Sequence, residues 1–390
     1  MSIPNPDYTP NPHRCIYIQG VIDQTMVYRV TPQIIALQHQ SRDPITVYID
    51  SPGGLVDHKD AIFTALRAPS QTDSTPCKVI TVVLSLAASA AADLTSSGYY
   101  AMAHPSSVMM YHGVRVPPDR PLTAEETFRL AHRLRVGNES FATELARCSE
   151  RRFLFRFISH YKLLDEVRKK VGKPLSDLES FLTLISDKIS DSADLVIDKA
   201  LERHDLYSKL LDSTIKRWAK GKKATNKSYV QLEVDQLQAI IDFEVKQNKS
   251  NKHWRFEREG IQRLTEDFFL LNEYLAFVQS ERFKDLAQLF GVFVLTRDEE
   301  LSMEKLSETE KDEALLKIVT PRLRPAWSFF VAMCHVLQQG DNHLTAKDAF
   351  WLGLIDEVIG EDLPSFRVFV DQAQQVARQE KDQEMRIEEG

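Results

Sequence analysis

Cysteine is scarce in this chain. There are four in 390 residues, Cys15, Cys77, Cys148 and Cys334, and no two stand at C-x-x-C spacing. That excludes a disulfide framework and a zinc knuckle. Positive charge is not in excess either: 49 Lys and Arg face 56 Asp and Glu, a net charge of −7, which argues against a protein made to coat nucleic acid. Long apolar runs are missing. The longest, Val79 to Leu94, is interrupted by Ser85, Ser89 and Asp93 and is too short and alanine-rich for a membrane span. The first residues, "MSIPNPDYTPNPHR", lack the basic start and apolar core of a signal peptide. No repeat has a solenoid period. What remains is an ordinary globular composition, 43% hydrophobic and 27% charged, expected to form two or three domains in the cytoplasm.

The first third of the chain alternates strand and helix signals. "RCIYIQG" (14–20) is a short β-type run ending in glycine, and "ITVYIDSPGG" (45–54) is a strand closed by a Pro-Gly-Gly turn. "LVDHKDAIFTALRA" (55–68) places Leu55, His58, Ile62, Ala65 and Leu66 at helical spacings. "KVITVVL" is a second buried strand, "SAAADLTSSG" a short helix stopped by Gly98, and "SSVMMYH" a third strand. This order implies mostly parallel pairing and an α/β domain. Thr123 and Glu126 then form a capping box that opens a long helix. From about residue 149 to 325 the text is helical and charged. A basic loop at 216–227 and a polar stretch at 248–260 interrupt it, and "EDFFLLNEYLAFV" (266–278) supplies apolar core. "HLTAKDAFWLGLIDEVIG" returns to α/β, with Thr345 as helix cap, Asp348 completing the box, Gly353 as the stop and "LIDEVI" as a strand.

Within "VVLSLAASAAADLTSSG" (82–98), Ser89 stands at a strand-to-helix junction between Ala88 and Ala90. Small neighbours leave room for a substrate backbone, and a helix start offers free N–H groups to an anionic intermediate. Serine catalysis also needs a base, an acid to orient it, and N–H donors for the oxyanion. His112 ends the next strand, Asp341 lies just before "HLTAKDA", and the glycines of "SPGG" can turn a backbone N–H outward. The G-x-S-x-G elbow of α/β-hydrolases is absent. Taken singly, each residue has a structural alternative: a serine among alanines packs, and a histidine at a strand end often serves the fold. His104 reads as a loop residue, His343 as a rival neighbour of Asp341, and Cys148 and Cys334 as small buried side chains rather than reactive thiols.

Taken together and in order, "RCIYIQGVID", "VYIDSPGG", "SLAASAAADLTSSG", "HPSSVMMYHG" and "DNHLTAKDAFWLGLIDEVIG" resemble the Clp protease proteolytic subunit family, serine peptidases of crotonase-like fold. The resemblance covers roughly 14–147 and 335–360. It implies a ClpP/crotonase-like core of repeated β-β-α units, with a large all-α insertion in the handle region. It also implies a role for each matched residue. Ser89 falls on the nucleophile, His112 on the general base and Asp341 on the acid that orients it. Gly54 and Ala90 fall on the oxyanion donors, and Ser51, Pro52 and Gly53 on the strand that pairs with an extended substrate. The same resemblance implies peptide or protein substrates, a homo-oligomeric ring, an AAA+ unfoldase or another regulator, and no cofactor or metal.

The chain departs from the family pattern in several places. Ser85 and Ala91 replace glycines, Asp50 replaces asparagine, and Gly113 follows the base. Only 13 residues precede Arg14, so the axial gating loop is expected to be short. His112 and Asp341 lie 229 residues apart (341 − 112), which puts the insertion between base and acid and leaves ring stacking open. The expected organisation is a proline-rich start (1–13), a first core part (14–148), a helical insertion (149–325), a closing core part with Asp341 (326–362) and a charged tail (363–390). Two other readings stay open: an inactive scaffold whose insertion binds a partner, and a crotonase-type acyl-CoA enzyme. Neither a membrane nor a nucleic acid is expected as partner.

Overall fold

The computed structural model describes residues 6–69, 75–116, 121–221, 270, 273–274, 276–368 and 370. Strand β1 (Cys15–Gln19) buries Ile16 and Ile18 and exposes Tyr17, the alternation of a sheet edge. Strands β2 (Ile45–Ser51) and β3 (Val79–Ala88) are apolar on both faces along most of their length, as central parallel strands are. With β4 (Tyr100–Ala103) and β7 (Glu357–Val358) they run β1-β2-β3-β4-β7, all parallel. The "LIDEVI" strand is thus reduced to two residues.

β3 is long enough to serve two neighbours on the same side. Ile80–Val83 pair with β4, and Leu86–Ala88 pair with β5 (Val108–Tyr111). Between them the register with β2 slips: Ile49 faces Val83, but Ser51 faces Ala87. Two steps on β2 span four on β3, so the strand bulges and turns its last residues toward β5. Strand β6 (Asn342–Thr345) then joins β5 antiparallel, with Met110 opposite His343 and Tyr111 opposite Asn342.

Helix α1 (Gln24–Gln40) is capped by Asp23, whose carboxylate accepts the Met26 N–H, and it buries Met26, Val30, Ile34 and Leu37 along one stripe. Helix α2 (Val56–Leu66) departs from its sequence pattern. Leu55 is its exposed cap, and Lys59 takes the buried position beside Ile62 and Leu66. Helix α3 (Ala90–Ser96) follows β3 directly. Helix α4 (Ala124–Ser159) starts at the Thr123–Glu126 capping box and runs through residue 148 without a break.

Chain packing divides the protein into two units. Unit 1 comprises 1–159, 183–197 and 334–390 and contains the sheet. Its closing part is anchored by the Thr345–Asp348 capping box at the start of α11 (Ala346–Trp351); Asp348 also accepts from the Ser190 N–H and hydroxyl at 2.8 Å. Unit 2 comprises 160–182 and 198–333. Helix α5 (Tyr161–Val171) lies wholly within it, and α6 (Asp177–Ile185) and α7 (Asp191–Gly221) contribute part of their length. Helices α8 (Glu281–Val294) and α9 (Arg297–Met303) also belong to it, with all but the end of α10 (Glu308–Leu337). It has its own aromatic centre, where Trp327 stacks on Phe277 at 5.9 Å and tilts against Tyr274 at 5.1 Å. Leu270, Tyr274, Phe277 and Val278 are buried, so the described part of 266–278 is core. The basic stretch expected as a loop begins inside α7, which continues to Gly221; residues 222–227 and the polar stretch 248–260 lie outside the described residues.

In unit 1 one buried ion pair ties α4 to the closing segment. Arg152 donates to Asp356 at 2.5 Å and to the carbonyls of Ser96 and Gly98 at 2.6 and 2.5 Å. Asp356 also accepts the Ala101 N–H at 2.8 Å. Removing one member of such a pair strands the other charge in the core, at a cost of about 3–5 kcal/mol. Asp356→Ala is therefore expected to lower unfolding stability by about that amount, read from the midpoint of urea denaturation.

Candidate active site

Ser89 has φ 54° and ψ −127°, and among the described residues it is the one non-glycine with positive φ. Such a backbone costs on the order of 1–3 kcal/mol and persists where surrounding structure enforces it. The enforcement is visible. The Ser89 N–H donates to the Met110 carbonyl at 2.7 Å, and its own carbonyl receives the N–H groups of Ala92 and Asp93 as α3 begins. Its side chain makes no capping bond, which leaves the hydroxyl uncommitted.

The "SPGG" turn is fitted against this junction. Gly53 has φ +91°, and a Cβ there would lie 2.5 Å from the Ala88 carbonyl oxygen and 2.8 Å from the Ser89 Cβ. Only glycine satisfies both the dihedral and the contact. Ser51 is fully buried; its hydroxyl donates to the Gly20 carbonyl at 2.6 Å and accepts the Gly53 N–H at 3.1 Å. Its side chain thus holds the turn, while Pro52 is exposed. Ile22 bonds the backbone on both sides of Gly54, through Gly53 O and Leu55 N, but leaves the Gly54 N–H itself without an acceptor. The Ala90 N–H, at the first position of α3, is also unspent.

Strand β5 gathers the remaining residues. His112 is the residue after its end, and Asp341 is the residue before β6. Continuing the antiparallel register by one step beyond Tyr111 and Asn342 sets His112 opposite Asp341, where cross-strand side chains come within reach of each other. The same strand holds Ser89 through Met110. His343 faces Met110 instead, and His104 lies in an exposed turn.

The side chains themselves are turned to other partners. His112 Nδ1 lies 2.5 Å from the Gly113 carbonyl oxygen, and Asp341 accepts from Arg115. Among the described residues no hydrogen bond joins Ser89 to His112 or His112 to Asp341.

Behind the nucleophile helix lies a charged cleft that sequence reasoning passed over. Lys59, Phe63, Asp93, Phe141, Glu144 and Cys148 line it. Enclosure by protein pushes the Asp93 carboxyl up to about 7, with Lys59 opposing the rise. Burial by itself would depress the Lys59 ammonium, but Asp60 at 2.6 Å, Glu144 at 3.8 Å and Asp93 outweigh it and hold the pKa above its ordinary value. Burial raises the thiols of Cys148 and Cys334, so neither is an activated nucleophile. No group of His, Cys, Asp and Glu suited to a metal ion occurs among the described residues.

The comparisons with known proteins coincide with this geometry. The Clp protease family model matches residues 11–117. This segment is ClpP-like. The ClpP-like segment is 32% identical over 101 residues to the ATP-dependent Clp protease proteolytic subunit of Carsonella ruddii, covering 25% of this chain and 49% of that protein. It is 39% identical over 54 residues to the proteolytic subunit 2 of Pseudomonas aeruginosa, covering 14% of this chain and 27% of that protein. A putative Clp proteolytic subunit-like protein of Streptomyces coelicolor is 30% identical over 138 residues, 35% of this chain and 60% of that protein. The chain thus spans about half or less of the first two relatives. The ClpP-like α/β core is accompanied by a large helical region outside the matched segment.

Asp93 gives a pH test of the cleft. Its folded carboxyl keeps a proton up to about 7, above the ordinary 3.8, so the folded state binds more protons than the unfolded state between those values. Stability owed to this group is therefore present below about 4 and lost as pH rises through about 7. Asp93→Asn should leave the melting temperature nearly unchanged at pH 4 and raise it by roughly a few degrees at pH 8, measured by calorimetry.

Proposed function

We propose that this protein is a serine endopeptidase of the Clp type. The observation that carries the reading is the convergence on β5 of a strained serine, a histidine and an aspartate drawn from three distant parts of the chain. Ser89 Oγ attacks the scissile carbonyl as His112 takes its proton. The Gly54 and Ala90 N–H groups receive the oxyanion, and the amine leaves with the proton from His112. Water then releases the acyl group by the same route. Asp341 orients the imidazole and stabilises its charged form. The backbone of Ser51, Pro52 and Gly53 pairs with an extended substrate, so recognition rests on main chain more than on side chains.

Protein or peptide substrates, a homo-oligomeric ring and an ATP-driven unfoldase partner belong to the same proposal; the relatives' names carry the words ATP-dependent and subunit. We place the protein in the cytoplasm, where its four free cysteines would stay reduced. No helix among the described residues is long and apolar enough to cross a membrane.

A second reading, an inactive scaffold, is favoured by one observation: His112 and Asp341 bond to Gly113 and Arg115 rather than to each other. A fluorophosphonate probe separates the two. Labelling of the wild type at Ser89, abolished in Ser89→Ala with the fold unchanged, supports the peptidase; an unlabelled wild type supports the scaffold.

Arg115 and Asp341 are both about half exposed, and such pairs are worth at most about 1 kcal/mol. Freeing Asp341 by Arg115→Ala should therefore speed labelling by about two- to fivefold. Added salt should bring the wild type toward the variant's rate.

A further inference from the structure

Gln338 follows α10 and precedes Asp341 by three residues. It is buried, and its two ends touch the other two parts of the site. Its side-chain Nε2 donates to Asp93 Oδ1 at 3.5 Å, and Asp93 stands one turn into the helix that Ser89 caps. Its carbonyl oxygen presses on Gly113, where a Cβ would approach it to 2.6 Å, and Gly113 follows His112. The same segment is held from α4, where Asn138 Oδ1 accepts the Val114 N–H at 2.7 Å. One side chain and its peptide group thus reach the carriers of the nucleophile, the base and the acid.

We infer that Gln338, with Asp93 as its acceptor, is a positioning pair that sets Ser89, His112 and Asp341 relative to one another. This rests on the peptidase reading for its catalytic consequence, but the mechanical link stands on the contacts alone. At 3.5 Å the bond is long, and an ionised acceptor shortens and strengthens it. The groups that face Asp93 and set its charge are Lys59 and Asp60 from α2, Glu144 and Cys148 from α4, Tyr111 from β5 and Cys334 from α10. Lys59 is shared among Asp60, Glu144 and Asp93, so it favours the ionised form of Asp93 without neutralising it outright. Ionised Asp93 grips Gln338; protonated Asp93 loosens it.

The test uses the full chain. Fluorophosphonate labelling of Ser89 is timed from pH 5.5 to 8.5 for wild type, Asp93→Asn and Gln338→Leu. Hydrogen exchange is measured at one pH over peptides containing 89–93, 112–115 and 341–344. Gln338→Leu is expected to slow labelling tenfold or more and to quicken exchange in all three peptides. Asp93→Asn keeps an acceptor and is expected to label within a few-fold of wild type. The ratio of wild-type to Asn rates, from which every shared ionisation cancels, should rise severalfold through about pH 7 and then level. A purely structural role would not give that ratio a pH dependence. A flat ratio together with unchanged exchange in Gln338→Leu would overturn the proposal. Should Gln338→Leu fail to fold, the Asp93→Asn ratio and exchange decide alone. An unlabelled wild type would sink the peptidase reading; exchange then still decides the link, quickened in the variants if it exists and equal to wild type if it does not.

Discussion

The buried contact between Arg152 and Asp356 is the constraint on which the core depends. The two residues are 204 positions apart, and between them the chain leaves the sheet, builds a second unit and returns. Closing so long an excursion costs less than intuition suggests, because loop entropy grows with the logarithm of length, about 0.6 kcal/mol for each doubling. A few strong contacts at the point of return suffice. Arg152 supplies them by binding Asp356 and the carbonyls that end α3, and Arg156 adds bonds to the carbonyls of Ile355 and Asp356 while lying over the Phe350 ring. Once Asp356 is fixed beside β4, the short segment before it, with β6 and α11, has little choice of position, and Asp341 arrives opposite His112.

The site stores cost in two forms. Ser89 holds a left-handed backbone, and Asp93 holds a carboxyl that its surroundings would rather keep protonated. Both lie on the same short stretch, 89–96, and both are opposed by contacts from elsewhere: Met110 for the serine, Lys59 and Gln338 for the aspartate. A junction built this way is sensitive to small changes in its supports. The absence of bonds among Ser89, His112 and Asp341 fits the same picture, because the competing Arg115 contact is exposed and weak and the backbone register already brings the acid opposite the base.

Much of this was legible in the sequence because it rests on local rules. The Thr123–Glu126 and Thr345–Asp348 boxes, the Pro-Gly-Gly turn and the apolar β2 and β3 each declare themselves within a few residues. Ser89, His112 and Asp341 could be singled out, but not their meeting. That depends on β6, whose four residues Asn-His-Leu-Thr have no strand pattern and become a strand only by pairing with β5. Helix α1 gave no sequence signal that was read, since Pro32 lies inside it. Helix α2 misled, because periodicity ranks an aliphatic Leu55 above a lysine. Lys59 nonetheless occupies the core position, its stem covered and its ammonium paired. Charge compensation between distant helices is invisible to any reading that scores one segment at a time.

That blind spot explains why the cleft beside α3 escaped notice although it touches the site. Its members come from α2, α3, α4 and the residue after α10, four segments with nothing in common along the chain. A buried lysine alone would shed its proton, and a buried aspartate alone would keep one. Brought together, each changes what the other can do, and the balance falls near neutral pH for Asp93. Stability alone does not call for such a group, since an apolar side chain at residue 93 would avoid the desolvation cost. What an apolar side chain could not do is accept the Gln338 N–H. The cluster is therefore better understood as serving the alignment of the segments that carry Ser89, His112 and Asp341 than as serving the core.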